Sequence, residues 1–200
     1  MLKIENTEVY GWEAAIRGMR NPKNSWDLSD SDRYEVGPKD LKLMKTLASA
    51  GPDHGKFLRM INVTVDITAM QPWWAEFDTY KVGTVRNSCS KMHKIHAKQF
   101  EMTDFTHEGC DHVDYAFDAL LNVLYTCEKL RRDFNHTGEK KYWRALIELL
   151  PEGYNMKATV QLNYAVLKAM YHARKHHKLE EWHILCAWIE NLPYSELITE

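Results

Sequence analysis

The chain has 200 residues, of which 44% are hydrophobic and 27% charged, with a formal net charge of −2. That length suits one domain with a substantial core, the composition excludes a disordered chain, and the near-neutral charge gives no whole-molecule field that would draw nucleic acid or an anionic membrane. No apolar run approaches the roughly 18 residues that a membrane-spanning helix needs.

Met1 to Tyr10 alternates apolar and polar residues, which predicts a first strand ending near Gly11. A short helix follows over Trp12 to Met19, broken by Asn21-Pro22, and Asn24 to Ser31 reads as a loop pinned by Trp26. From Lys39, Leu41, Met44, Leu47 and Ala48 recur at helical spacing, with Pro38 at the entrance and Gly51-Pro52 as the stop. Ile61 to Thr68 alternates with β-branched residues on its apolar side and predicts a strand with one buried face. Pro72 opens a helix that carries Trp73, Trp74, Phe77 and Tyr80 on one broad side and ends before Gly83.

Lys81 to His93 has no apolar period and is rich in Gly, Thr, Asn, Ser and Cys, so an ordered loop is expected. Beyond Asp111, Val113, Phe117, Leu120, Leu121, Leu124, Cys127 and Leu130 trace a helical stripe of about five turns. Further helices are expected over Tyr142 to Leu150, Thr159 to Lys175 and Leu179 to Leu192, so the C-terminal half reads as helical. No repeat, low-complexity tract or Gly/Ser linker marks a second domain, and strands followed by long helices is the α+β pattern in a single domain over residues 1–200. Cys89, Cys110, Cys127 and Cys186 form no C-x-x-C pair, and no charged-plus-apolar leader follows Met1. A cytoplasmic protein with reduced thiols is expected.

Lys81, Arg86 and Lys91 stand among Thr84, Asn87, Ser88 and Ser90, with Gly83 to let the backbone approach a ligand. Phosphate recognition uses that mix of cations, hydroxyls and free N–H groups, and the alternative is a solvated basic loop. An aromatic stripe at helical spacing is first of all core; Trp74 and Tyr80, nearest the loop, are the rings to consider for stacking on a base. His172 and His176 share a helical face, with His177 and His183 nearby, but no further ligands complete a zinc site, and His93 with His96 meets the same objection. No metal site is expected, and no residue is assigned a catalytic role.

Two regions together resemble the flavin-dependent thymidylate synthases, the ThyX family. Val63 to Ala69 and the aromatic run Trp73-Trp74-Ala75-Glu76-Phe77 resemble the family's strand and aromatic helix. Thr79-Tyr80-Lys81 to His93 stands where the signature R-H-R-x-x-S-x-N-E-x-S-x-R-Y lies, with one extra residue before Asn87. Downstream, Leu150-Pro151, Asn163, Arg174 and His177 to Trp182 match the family's Leu-Pro, Asn, Arg and H-A-Q-W-E-I-like order. Thr84 and Ser90 take the motif serines' places, and Asn87, Asn163 and Arg174 are retained. Met92 stands at the signature's last Arg and Ile147 at another family Arg, with Arg86, Lys91 and Arg144 near enough in sequence to substitute.

The resemblance implies a small, mostly antiparallel sheet packed by long helices, and a homotetramer with ligand pockets between subunits. Lys81, Thr84, Arg86, Asn87, Ser88, Ser90, Lys91, Asn163 and Arg174 would hold a nucleotide or nucleotide-derived molecule. Because Thr79-Tyr80-Lys81 replaces R-H-R, weak or no binding of flavin adenine dinucleotide (FAD) is expected. The leading expectation is a catalytically degenerate nucleotide binder that senses or sequesters its ligand, with no membrane or nucleic-acid partner. The alternative is a diverged flavin-dependent pyrimidine C5-alkylating enzyme, and a third reading is a scaffold that kept the fold and lost the pocket.

Overall fold

A computed structural model describes residues 2–200. Met1, at the start of the first expected strand, lies outside the described residues. The chain divides into two compact units: one holds Leu2, Lys3, Ile67–Asp78 and Asn87–Ala158, the other Ile4–Asp66, Thr79–Arg86 and Thr159–Glu200.

Strands β1 (Lys3–Tyr10), β2 (Asn62–Met70), β3 (Val85–Ser88) and β4 (Asn155–Asn163) form an antiparallel sheet in the order β1-β2-β4-β3. The alternation read in β2 is realised: Val63, Val65, Ile67 and Ala69 are buried while the residues between them are half-buried. β4 follows the same rule, burying Ala158, Val160 and Leu162 and exposing Lys157, Thr159 and Gln161. On the outward face Asp66 accepts bonds from Asn6 Nδ2 at 2.9 Å and Thr159 Oγ1 at 2.6 Å, and Gln161 Nε2 donates to Tyr10 Oη at 2.8 Å. That face is polar because period-2 geometry sends every second side chain there.

Two expectations are corrected. Thr159 to Asn163 is strand rather than the start of a helix, so the C-terminal half supplies an interior strand of the sheet. Lys81 to His93 is not all loop, since it contains β3 and the short helix α4 (Lys91–Lys94).

The 87–158 unit is built on α5 (Asp114–Thr137) and α6 (Lys140–Leu149), which pack as an antiparallel pair around Ile95, Cys127 and Leu146. Burial pushes the Cys127 thiol up to about 11. At one end Glu128 accepts from Arg131 and Arg132 and from the Phe100 amide, and these bonds, Arg131 foremost, hold its carboxyl down at about 2.

In the other unit α7 (Tyr164–Arg174) packs on α8 (Glu180–Glu190), on α9 (Glu196–Thr199) and on the 3-10 turns of Gly55–Met60. Leu167, Met170, Trp182, Ile189 and Leu197 are fully enclosed there. The helices α1 (Trp12–Arg20) and α2 (Pro38–Ser49) are joined by a loop fastened by a buried ion pair. Arg20 Nη2 and Asp40 Oδ1 are 2.6 Å apart, and Ser29 and Ser31 each donate to Asp40 Oδ2 at 2.6 Å. This pair takes the place expected of Trp26, which is 49% exposed and whose indole donates to Asn21 Oδ1. Among the described residues no helix is long and apolar enough to cross a membrane.

Candidate functional site

β4 runs into α7 without a loop. Asn163 has extended backbone angles, and its Oδ1 accepts from the Val166 amide at 3.1 Å, which caps the first turn of α7. With Oδ1 committed, Nδ2 is left as a donor on the opposite side. There the turn after α3 (Gln71–Phe77) crosses the start of α7 at Gly83, whose φ is +82°. A Cβ at position 83 would stand 3.0 Å from Asn163 Nδ2 and 3.2 Å from Val166 Cγ2, so glycine supplies both the left-handed backbone and the clearance. Gly83 thus brings the chain close to Asn163, where the sequence suggested closeness to a ligand.

Beside this crossing lies a cleft of about 410 Å³ lined by Arg59, Thr79, Tyr80, Val82, Gly83, Asn163, Ala165, Val166 and Ala169. Tyr80 follows the helix it was expected to share and forms a wall of the cleft. Its hydroxyl accepts a 2.9 Å bond from Arg174 Nε, and the Arg174 guanidinium lies 4.6 Å from the centre of the Trp182 ring. Arg174 thus touches a wall of the cleft, Tyr80, without being among the residues that line it. Val82 is 93% exposed at the rim.

The other expected site residues are placed differently. β3 turns Arg86 and Ser88 to its half-buried side and Val85 and Asn87 outward, because a strand separates neighbours that a loop could have gathered. Thr84 is half-buried and its hydroxyl is enclosed without a hydrogen-bond partner. Lys81 is exposed. Ser90 accepts from the His93 amide at 3.3 Å at the start of α4. Lys91 Nζ donates to Gln71 Oε1 at 2.6 Å, and burial holds its ammonium below the usual lysine range. Trp74 is corrected: it is 4% exposed, its indole donates to Met156 O at 2.9 Å, and it packs edge-on against Trp73 and Phe77. Its ring faces are spent on the core.

Arg59, Thr79, Val82, Ala165, Val166 and Ala169 were not anticipated. Ala165 and Ala169 are one helical turn apart, a small-residue face that lay within the expected helix but carried no chemistry to single it out. Among the described residues lining the cleft there is no carboxylate, cysteine or histidine, so it offers shape, one aromatic wall, an amide donor and a guanidinium, but no general base. Those residues do not fit a flavin dinucleotide: two phosphates ask for clustered cations, and Arg59 is the cation in the lining. Among the described residues no group of three or more His, Cys, Asp or Glu side chains could hold a metal ion.

No protein-family model matches the chain, and no curated protein does. Solved structures do match its fold. The flavin-dependent thymidylate synthase ThyX from Helicobacter pylori, complexed with FAD and dUMP, superposes with a TM-score of 0.74 at 16% identity, over 98% of this chain and 97% of that one. The UMP/dUMP methylase PolB from Streptomyces cacaoi, bound with 5-Br dUMP, superposes with a TM-score of 0.69 at 13% identity, over 98% of this chain and 92% of that one. The distant resemblance read in the motifs is thus a shared fold.

Proposed function

We propose that this protein binds a nucleoside monophosphate in the cleft between Tyr80 and Asn163, and holds it rather than turning it over. One observation carries the reading: Thr79 to Gly83, which stands where the ThyX signature begins though its R-H-R is replaced, and Asn163, a position shared with the family, line one cavity of mononucleotide size. The fold relatives solved with dUMP and 5-Br dUMP support the ligand class. The base lies against Tyr80 with its polar edge toward Asn163 Nδ2, and the phosphate lies toward Arg59 and Lys81. Holding without turnover follows from a lining that has no general base and does not fit FAD, which favours sensing or sequestration. The protein assembles as a homotetramer with the ligand between subunits, where exposed Asn87 and Ser90 are offered to a neighbouring copy.

Calorimetry with dUMP, UMP and dTMP tests this. Asn163→Asp keeps the helix cap but replaces the amide donor with a carboxylate, so wild-type stability with at least about tenfold weaker binding is expected. Absence of saturable binding by any of these nucleotides at millimolar concentration overturns the reading. A stoichiometric flavin spectrum after purification overturns the exclusion of FAD.

A further inference from the structure

A second cavity, sharing no lining residue with the nucleotide cleft, is enclosed by α1, α2 and the turns that follow them. Its volume is about 410 Å³. The sequence gives α2 more apolar side chains than its core contact uses. Met44 is fully buried and Ala48 nearly so, whereas Leu43 and Leu47, one turn apart, stay half-buried and line the cavity with Met19 and Phe57. The apolar part of this space gains by taking in an apolar body, which removes the exposed faces of these side chains from water.

The walls are held in place before any ligand arrives. Arg20, locked to Asp40, donates from Nη1 to the Ser25 carbonyl at 3.0 Å, and Ser25 is part of the lining. Little ordering therefore remains to be done on binding. The mouth is charged asymmetrically. Lys23, Lys56, Asp53 and His54 border it, and Lys56 stands 4.0 Å from Asp53 in a largely exposed pair. With that pair cancelling, Lys23 leaves an excess of one positive charge.

The geometry points to a second binding site here, for a small molecule with an apolar body and a single anionic group. The body occupies the space beside Leu43, Leu47 and Phe57, and the anion meets Lys23 at the mouth. A carboxylate and a phosphate monoester share this chemistry.

Octanoate, octyl phosphate and octanol, titrated separately into protein labelled at the methionine methyl groups, read the site through the Met19 resonance. Octanoate or octyl phosphate is expected to shift that resonance saturably, and whichever binds tighter identifies the headgroup. Octanol is expected to bind more weakly. Lys23→Glu should weaken the anionic probes about three- to tenfold and leave octanol unchanged. Leu47→Trp, filling the space, should abolish all three, and Leu43→Trp serves the same purpose if Leu47→Trp melts well below wild type. No shift at Met19 at millimolar concentration of any probe overturns the site. Equal affinity for octanol and octanoate, unaffected by Lys23→Glu, overturns the anionic class.

Discussion

Tyr80 and Arg174 concentrate the question of which side chains meet a ligand and which only support it. Arg174 spends its Nε on the Tyr80 hydroxyl and lays its guanidinium on Trp182, so its effect on the cleft passes through the angle of the Tyr80 ring. Tyr80→Phe removes one hydrogen bond and is expected to cost about 1 kcal/mol in urea melts. Arg174→Lys should cost more, because an ammonium cannot both bond the hydroxyl and lie flat on an indole. If Arg174 served the phosphate directly, Arg174→Lys would weaken nucleotide binding and leave the melts unchanged. Gly83 tests the crossing itself: Gly83→Ala meets an unfavourable φ and two close contacts, and is expected to destabilise by about 1–2 kcal/mol and to weaken nucleotide binding in the same calorimetric assay. Tyr80 could be singled out from its place beside the polar loop, and Asn163 from the order of motifs shared with the ThyX family. Arg59 could not, since nothing near it in the chain shows that it ends beside Ala165.

Among the elements, α5 shows how a helix recruits its surroundings. Glu128 gathers Arg131, Arg132 and the Phe100 amide, while Arg131 and Asn135 reach the His96 carbonyl, so one carboxylate ties the preceding loop to the helix. Its pKa is depressed, from 4.5 to about 2, so the stabilisation is complete above the unfolded value and is lost as pH falls toward the folded one. Glu128→Gln is expected to cost about 1–3 kcal/mol at neutral pH, with the difference shrinking below about pH 4.5 and gone near pH 2; chemical melts across that range check it. The long stripe of α5 and the alternation of β2 were legible because each carries a single clear period over its length. β4 was not, because Leu162 belongs to two patterns at once: it follows Ala158 and Val160 at strand spacing and precedes Val166 and Met170 at helical spacing. Pairing with β2 and β3 resolves that ambiguity, and both lie far away in sequence.

For the whole molecule, the exposed apolar side chains of α5 bear on assembly. Tyr115 is 81% exposed, Tyr125 74% and Leu121 42%, an amount of uncovered apolar surface that a second copy of the chain would bury. α7 does not have this surplus, since Leu167 and Met170 are buried within the chain. Light scattering is expected to give a tetramer, and Tyr125→Glu to reduce it to smaller species; a wild-type monomer at micromolar concentration contradicts the proposed assembly. β2, β3 and β4 each contribute residues to both compact units. Thermal unfolding is expected as one cooperative transition, the behaviour of a single domain, and two resolved transitions would argue against it.

Local periodicity was enough to place α1, α2, α5, α6 and β2, since each carries its burial pattern in consecutive residues. Motif order was enough to point to the fold. The strand state of β4 came from its pairing with β2 and β3, the Arg20–Asp40 lock from a contact across twenty residues, and the composition of the cleft from chain segments such as those of Arg59 and Ala165, or Gly83 and Asn163, meeting in space. Such contacts leave no periodic trace along the chain, because they depend on where the backbone returns rather than on what it is next to.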